Sequence, residues 1–338
     1  MKTRNIGIDF LRILASAGVI GLHGLCTQQN AYTLYLYYLC GFSVPVFFTV
    51  SGYFLFQKAE ITSEYLLRKI LQYLRLILIW ALIAFVFDDI LLVYYGGSPK
   101  GFLHFLEILV GSFFTTNWLG HLWYLWASLL TYLLITLITY FFKDLPENSS
   151  KWWLAFLFLS VLLQLISYLR GKPEVAGTRF NALRLWTCLQ YMFLGSVMPL
   201  FSNALKKLPL AVHFAVLLLF SAAASFYFYY ICQKLFAVDF VHNMYDSLVM
   251  IAWVILIFTF FLRLEIKSKL LISLTNLLAP LTLGIYVFQS FILTFLSGIE
   301  WMEYPNGSIV KCGVAFVICA GLTWVLKKLP GSKYYLSI

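Results

Sequence analysis

The chain is a succession of apolar stretches, each about as long as a bilayer is thick, and that pattern leaves little choice of fold. A helical crossing needs roughly 20 mostly apolar residues. Ten such stretches occur, at 6–26, 33–56, 70–95, 119–142, 152–169, 182–201, 210–231, 245–262, 271–297 and 308–326. In hydrocarbon every backbone N–H and C=O must find a partner within the protein, so each stretch is expected to be a helix. With 62% hydrophobic and 11% charged residues in 338, the chain has too little polar surface to clothe a soluble globule. The expectation is an all-α integral membrane protein: one domain over residues 1–338, built as a bundle of about ten transmembrane helices. Residues 102–116 are too short to cross and read as interfacial or re-entrant.

An even number of spans puts both termini on one side, and the basic residues say which. If the termini are cytoplasmic, Lys100, Arg170, Lys172, Arg179, Arg184, Lys234 and Lys311 fall outside. Apart from Arg12, within the first span, every other Lys and Arg falls inside, as the positive-inside rule requires. The net charge of +10 then reads as a topology signal plus attraction to anionic membrane lipid, and nucleic acid is not an expected partner. The expected location is the cell (inner, cytoplasmic) membrane. Ala15-Ser16-Ala17 has the form of a signal-peptide cleavage site, but Asp9 and Arg12 interrupt the apolar core such a peptide needs, so the segment is expected to remain as a span. The six cysteines show no paired ligand spacing. No metal site is expected, and packing is their ordinary role, with a Cys26–Cys232 disulfide near the outer surface as the alternative.

The first span carries Asp9, Arg12 and His23, ionisable groups that a bilayer helix rarely holds without a function. At 100° per residue Arg12 and His23 lie within about 20° of each other on the helix surface and roughly 16 Å apart along its axis. Asp9 and Ser16 join that stripe. Asp9 is placed to pair with Arg12 at i, i+3 and to aim its guanidinium, whose planar fork suits anions, toward a ligand entering from the cytoplasm. The plain alternative is a pair snorkelling to phosphate headgroups.

Ile8-Asp9-Phe10-Leu11-Arg12 followed, after ten intervening residues, by His23 resembles the signature of the type 3 membrane acyltransferases, which O-acylate bacterial surface sugars. The order of further motifs fits the same family: Phe47-Phe48-Thr49-Val50-Ser51-Gly52-Tyr53, a basic cluster opening the third span, His121-Leu122-Trp123-Tyr124-Leu125, and Gly284-Ile285-Tyr286-Val287-Phe288. The resemblance implies O-acyl transfer, O-acetyl in the first instance, from cytoplasmic acyl-CoA (acetyl-CoA or another) to a hydroxyl of a cell-envelope glycan or lipid-linked sugar at the outer face, with no tightly bound cofactor. It makes His23 the general base, Asp9 the orienter of Arg12, and Arg12 the anchor for CoA, assisted by Arg68, Lys69 and Arg75. His121 is a second catalytic or orienting candidate, set against its place in an aromatic belt of Trp118, Trp123, Tyr124 and Trp126. Ser51, Tyr124, Tyr286 and Gln289 are candidate substrate contacts; Ser51 with Gly52 equally suits close helix packing. Relatives commonly have Arg-x2-Arg where this chain reads Arg68-Lys69-Ile70-Leu71-Gln72, and often histidine where it has Gln289.

Arg179 and Arg184 belong to a basic outer loop with Arg170 and Lys172, either solvated or a contact for an anionic glycan. Asp88, Asp89 and Asp246 lie near outer span ends, where carboxylates can accept from sugar hydroxyls. Two other functions fit intramembrane charge: a secondary transporter or exporter, and a non-catalytic relative that binds a small molecule. Against transport, no pair of Gly/Pro-broken spans is evident at matching positions of two halves.

Overall fold

The computed structural model describes residues 4–25, 30–58, 60–94, 96–117, 119–142, 145–171, 185–237 and 241–336. Among these residues every regular element is helical. The chain runs through α1 (Ile6–Gly24), α2 (Ala31–Leu39), α3 (Ser43–Phe56), α4 (Ser63–Tyr94), α5 (Phe102–Phe114), α6 (Trp123–Phe141) and α7 (Leu145–Arg170). It continues through α8 (Leu185–Leu205), α9 (Leu210–Tyr230), α10 (Leu248–Arg263), α11 (Lys269–Leu278), α12 (Thr282–Ser297), α13 (Pro305–Leu326) and α14 (Ser332–Tyr335).

Eight stretches are long and apolar enough to cross a bilayer: α1, α2 with α3, α4, α6, α7, α9, α11 with α12, and α13. The other two expected spans correspond to α8 and α10; α10 is apolar but only 16 residues long. Both are heavily buried within the bundle. The short stretch at 102–116 forms α5, 13 residues, packed on α4 and α6 as a segment too short to cross. Outward-facing Leu82, Phe87, Leu154, Phe158, Leu219 and Val317 give α4, α7, α9 and α13 an exposed apolar surface, the surface lipid requires. Cys232 is a buried free thiol, and Cys26 lies outside the described residues.

Two spans are broken, which the sequence pattern did not reveal. The first turns at Cys40-Gly41-Phe42, where Ser43 Oγ donates to the Cys40 carbonyl at 2.7 Å. The second passes through a 3-10 turn at Ala279–Leu281, where Thr282 Oγ1 donates to Ala279 O at 3.1 Å and Lys327 Nζ donates to Pro280 O at 2.8 Å. Carbonyls released by a break inside a bilayer must be satisfied by the protein, and these side chains do so.

α1 is placed at the heart of the bundle, against α3, α10, α12 and α13. Of the eight stretches it is the most enclosed and the least apolar, with a mean hydropathy of 1.5. Its start is fixed by Asn5, whose side chain accepts from Ile8 N at 3.0 Å and donates to Leu262 O at 3.2 Å, tying the N-cap to the end of α10. α3 and α8 meet backbone to backbone. A Cβ on Gly52 would fall 1.9 Å from Met192 O, and one on Gly195 would fall 2.4 Å from Thr49 O, so only glycine permits this approach.

Candidate active site

A cavity of about 240 Å³ opens between α1, α3, α4, α6 and α12. Arg12 and Lys69 supply its cations, and Ser51, Thr282, Tyr65, Tyr73, Tyr124, Tyr132 and Tyr286 are the neutral polar residues of its lining. Val19, Val44, Phe47, Val50, Phe54 and Leu283 complete the wall. An anionic head with a slender, partly apolar tail matches that lining.

Arg12 is held as its spacing implied. Its Nη1 lies 3.4 Å from Asp9 Oδ1, and its Nη2 donates to Thr282 Oγ1 at 3.2 Å. Asp9 is buried and also accepts from Arg4 Nε, so one carboxylate is shared by two guanidinium groups. A planar guanidinium has five N–H donors, more than these two contacts use, and Arg12 lines the cavity. Lys327 stands near the same end: its ammonium is pushed below its usual range by burial and then by the neighbouring positive charge of Arg12. The end of the cavity at Arg12 therefore has a positive field suited to a phosphate.

α1 and α12 run side by side through this region. Arg12 meets Thr282 at one level. Eleven residues further along α12, Leu293 meets α1 at Gly24, where an added Cβ would lie 2.8 Å from Leu293 Cδ2. Arg12, Val19 and His23 share one face of α1, since seven- and eleven-residue steps return to within about 20° of the starting direction. The cavity follows that face as far as Val19, one turn short of His23. His23 is exposed and is not among the residues lining the cavity.

The remaining expected residues separate into groups. Ser51, Tyr124, Tyr286 and Lys69 line the cavity together with Arg12. Ser51 Oγ donates to Phe47 O at 2.9 Å. His121 is buried outside the cavity lining, with Nε2 3.1 Å from Val287 O, while Tyr286 donates its phenol to the His121 carbonyl. It thus stands midway along α12 and ties the turn before α6 to α12. The basic cluster of α4 is spread around the helix, as steps of one and six residues require. Arg68 turns outward to Glu64 at 2.8 Å, and Arg75 donates to Lys333 O at 3.2 Å, leaving Lys69 as the member that reaches the cavity. Asp88 approaches His104 at 3.5 Å and Asp89 accepts from Lys100 N at 3.2 Å, so both serve the α4–α5 connection. Arg179 and Arg184 lie outside the described residues.

Several lining residues escaped the sequence reading. Tyr65 and Tyr73 flank the expected Lys69 at four residues on either side, and Tyr132 follows the expected Tyr124 by eight. Phenols at helical spacing on otherwise apolar helices were the available signal. Thr282 and Lys327 carried no such sign, because their roles depend on the break before α12.

Comparison with protein families matches residues 5–328 to the one described as "Acyltransferase domain". Neither the curated proteins nor the solved structures contain a match to this chain.

Proposed function

The chain belongs to the type 3 acyltransferase family and is a multi-pass membrane acyltransferase, and from that premise we propose that it moves an acyl group, acetyl in the simplest case, from acyl-CoA to a hydroxyl of a cell-envelope glycan or lipid-linked sugar. The observation that carries this reading is the Arg12 guanidinium, braced by buried Asp9 and facing a cavity that climbs α1 toward His23. Phosphates of the donor bind Arg12 and Lys69 at the cytoplasmic end, and the pantetheine arm rises between the tyrosines. The thioester then lies one turn beyond the present limit of the cavity, beside His23.

There the neutral imidazole of His23 takes the proton of the acceptor hydroxyl as its oxygen attacks the thioester carbonyl. Collapse of the tetrahedral intermediate forms the ester, breaks the carbon–sulfur bond and releases CoA, the thiolate taking the proton from the imidazolium. The donor is drawn from the cytoplasm and the acceptor is met at the outer face, with both chain termini inside. His121 is a positioning residue in this scheme: it holds α12, and with it Tyr286, against the cavity.

Purified protein with radiolabelled acetyl-CoA tests the proposal. Wild type releases CoA and labels the glycan; His23→Ala loses turnover by about 10²–10⁴-fold while retaining CoA binding. Failure of the wild type to bind CoA would overturn it. The two broken spans also invite an export reading, but they are the second and ninth of the expected series, unlike positions in two halves, and membership of an enzyme family favours chemistry over transport.

A further inference from the structure

Gln289 is fully buried on α12, and among the described residues neither its Oε1 nor its Nε2 has a hydrogen-bond partner. An orphaned carboxamide in a protein interior carries the desolvation cost of both its polar atoms, and native structures rarely leave such a group without a reason. Its position supplies the reason. Gln289 is seven residues after Thr282 and four before Leu293, so the three share one face to within about 20–40°. Thr282 on that face receives Arg12, and Leu293 abuts Gly24, next to His23. Gln289 therefore stands about 10 Å beyond the Arg12 level and about 6 Å short of the His23 level. It lies just past Tyr286 and Val19, where the cavity ends.

We propose that Gln289 binds an amide of the pantetheine arm of the donor, an inference that rests on the acyl-CoA reading above. A carboxamide offers an acceptor and a donor at once, and a secondary amide returns the complementary pair; a thioester carbonyl would satisfy only the donor. Distance agrees with chemistry. In an extended chain at about 1.25 Å per bond, the second amide of the arm lies about 11–12 Å from the diphosphate and the sulfur about 16 Å. Those lengths match the Gln289 and His23 levels when the phosphates sit at Arg12. A sugar hydroxyl also donates and accepts, but it enters from beyond His23, and the comparison below separates the two.

The test measures binding of CoA and of adenosine 3′,5′-bisphosphate, which keeps phosphates but lacks the arm, to the purified full chain. Gln289→Leu weakens CoA about tenfold, the worth of two neutral hydrogen bonds, leaves the bisphosphate unchanged, and holds or raises the melting temperature because two orphaned polar atoms are removed. Gln289→Met repeats the measurement if the leucine variant does not fold. Unchanged CoA affinity, or equal loss for both ligands, overturns the assignment of Gln289 while leaving the donor reading intact. If neither ligand binds the wild type, the acyl-CoA reading falls and this inference with it.

Discussion

Arg12 offers the sharpest test of how the donor is held. Its guanidinium is 33% exposed, so water screens part of its field, while Asp9 at 3.4 Å and Thr282 at 3.2 Å fix its plane. A hydrogen bond to a charged group contributes about 1.5–3 kcal/mol, and partial exposure favours the lower end, about 1.5–2 kcal/mol. Arg12→Gln should therefore weaken CoA about 10–30-fold and flatten the salt dependence of binding. Arg12→Lys keeps the charge but replaces a planar fork by one ammonium that cannot reach Asp9, Thr282 and a phosphate together, and a loss of about 3–10-fold is expected. Asp9→Asn should fall between them, because it frees the guanidinium from its orientation without removing it. Isothermal titration of CoA into detergent-solubilised protein at several salt concentrations reads all three. An Arg12→Gln variant that binds CoA within twofold of wild type, with the same salt slope, would refute the anchor.

Lys69→Met should weaken CoA by about 3–10-fold, whereas Arg68→Ala, whose guanidinium turns outward to Glu64, should leave it unchanged; equal losses would mean that charge near the mouth matters and cavity placement does not. Gly52→Ala requires the α3 and α8 backbones to part by more than an ångström, since the new methyl would stand 1.9 Å from Met192 O, and a loss of about 3 kcal/mol or more follows. Gly313→Ala, with nothing within 4 Å, is the control and should gain about 0.5–1 kcal/mol in thermal unfolding. Glu303 pairs with largely buried Lys311 at 2.6 Å, and that hydrogen bond draws its carboxyl below the usual glutamate range. A depressed folded pKa contributes stability above the unfolded value, about 4.3, that disappears as pH falls through the folded value. Glu303→Gln should thus melt below wild type at neutral pH, and the gap should close in acid; a gap independent of pH would sink the assignment.

The membrane class and the positions of the helices were legible because length and apolarity are local properties of the chain. The first-span stripe was legible for the same reason: Asp9, Arg12, Ser16 and His23 lie on one helix whose geometry is fixed. What failed to show was anything that depends on two segments meeting. Thr282 became a partner of Arg12 only through the turn at Ala279–Leu281, and Lys327 reached Pro280 only because that turn exposes a carbonyl. Arg68, Lys69 and Arg75 looked like one basic cluster in the sequence, and the rotation of α4 dispersed it to three destinations. His121 looked interfacial among tryptophans, yet its imidazole is engaged with α12. The tyrosines were visible as residues but not as a wall, since they come from α4, α6 and α12.

The helix bearing Asp9, Arg12 and His23 is the most enclosed of the eight apolar stretches and the least apolar of them. Such a segment leaves the translocon with the weakest claim on lipid, and partitioning of lone arginine and aspartate is unfavourable there. Its lasting partners on α12 and α13 are synthesised last. Biogenesis is thereby staged: α3 offers the first segment an early companion, but its enclosure is completed only when α12 and α13 arrive, so a ribosome that stops early releases a chain whose polar helix is half-covered and can be surrendered to quality-control proteases.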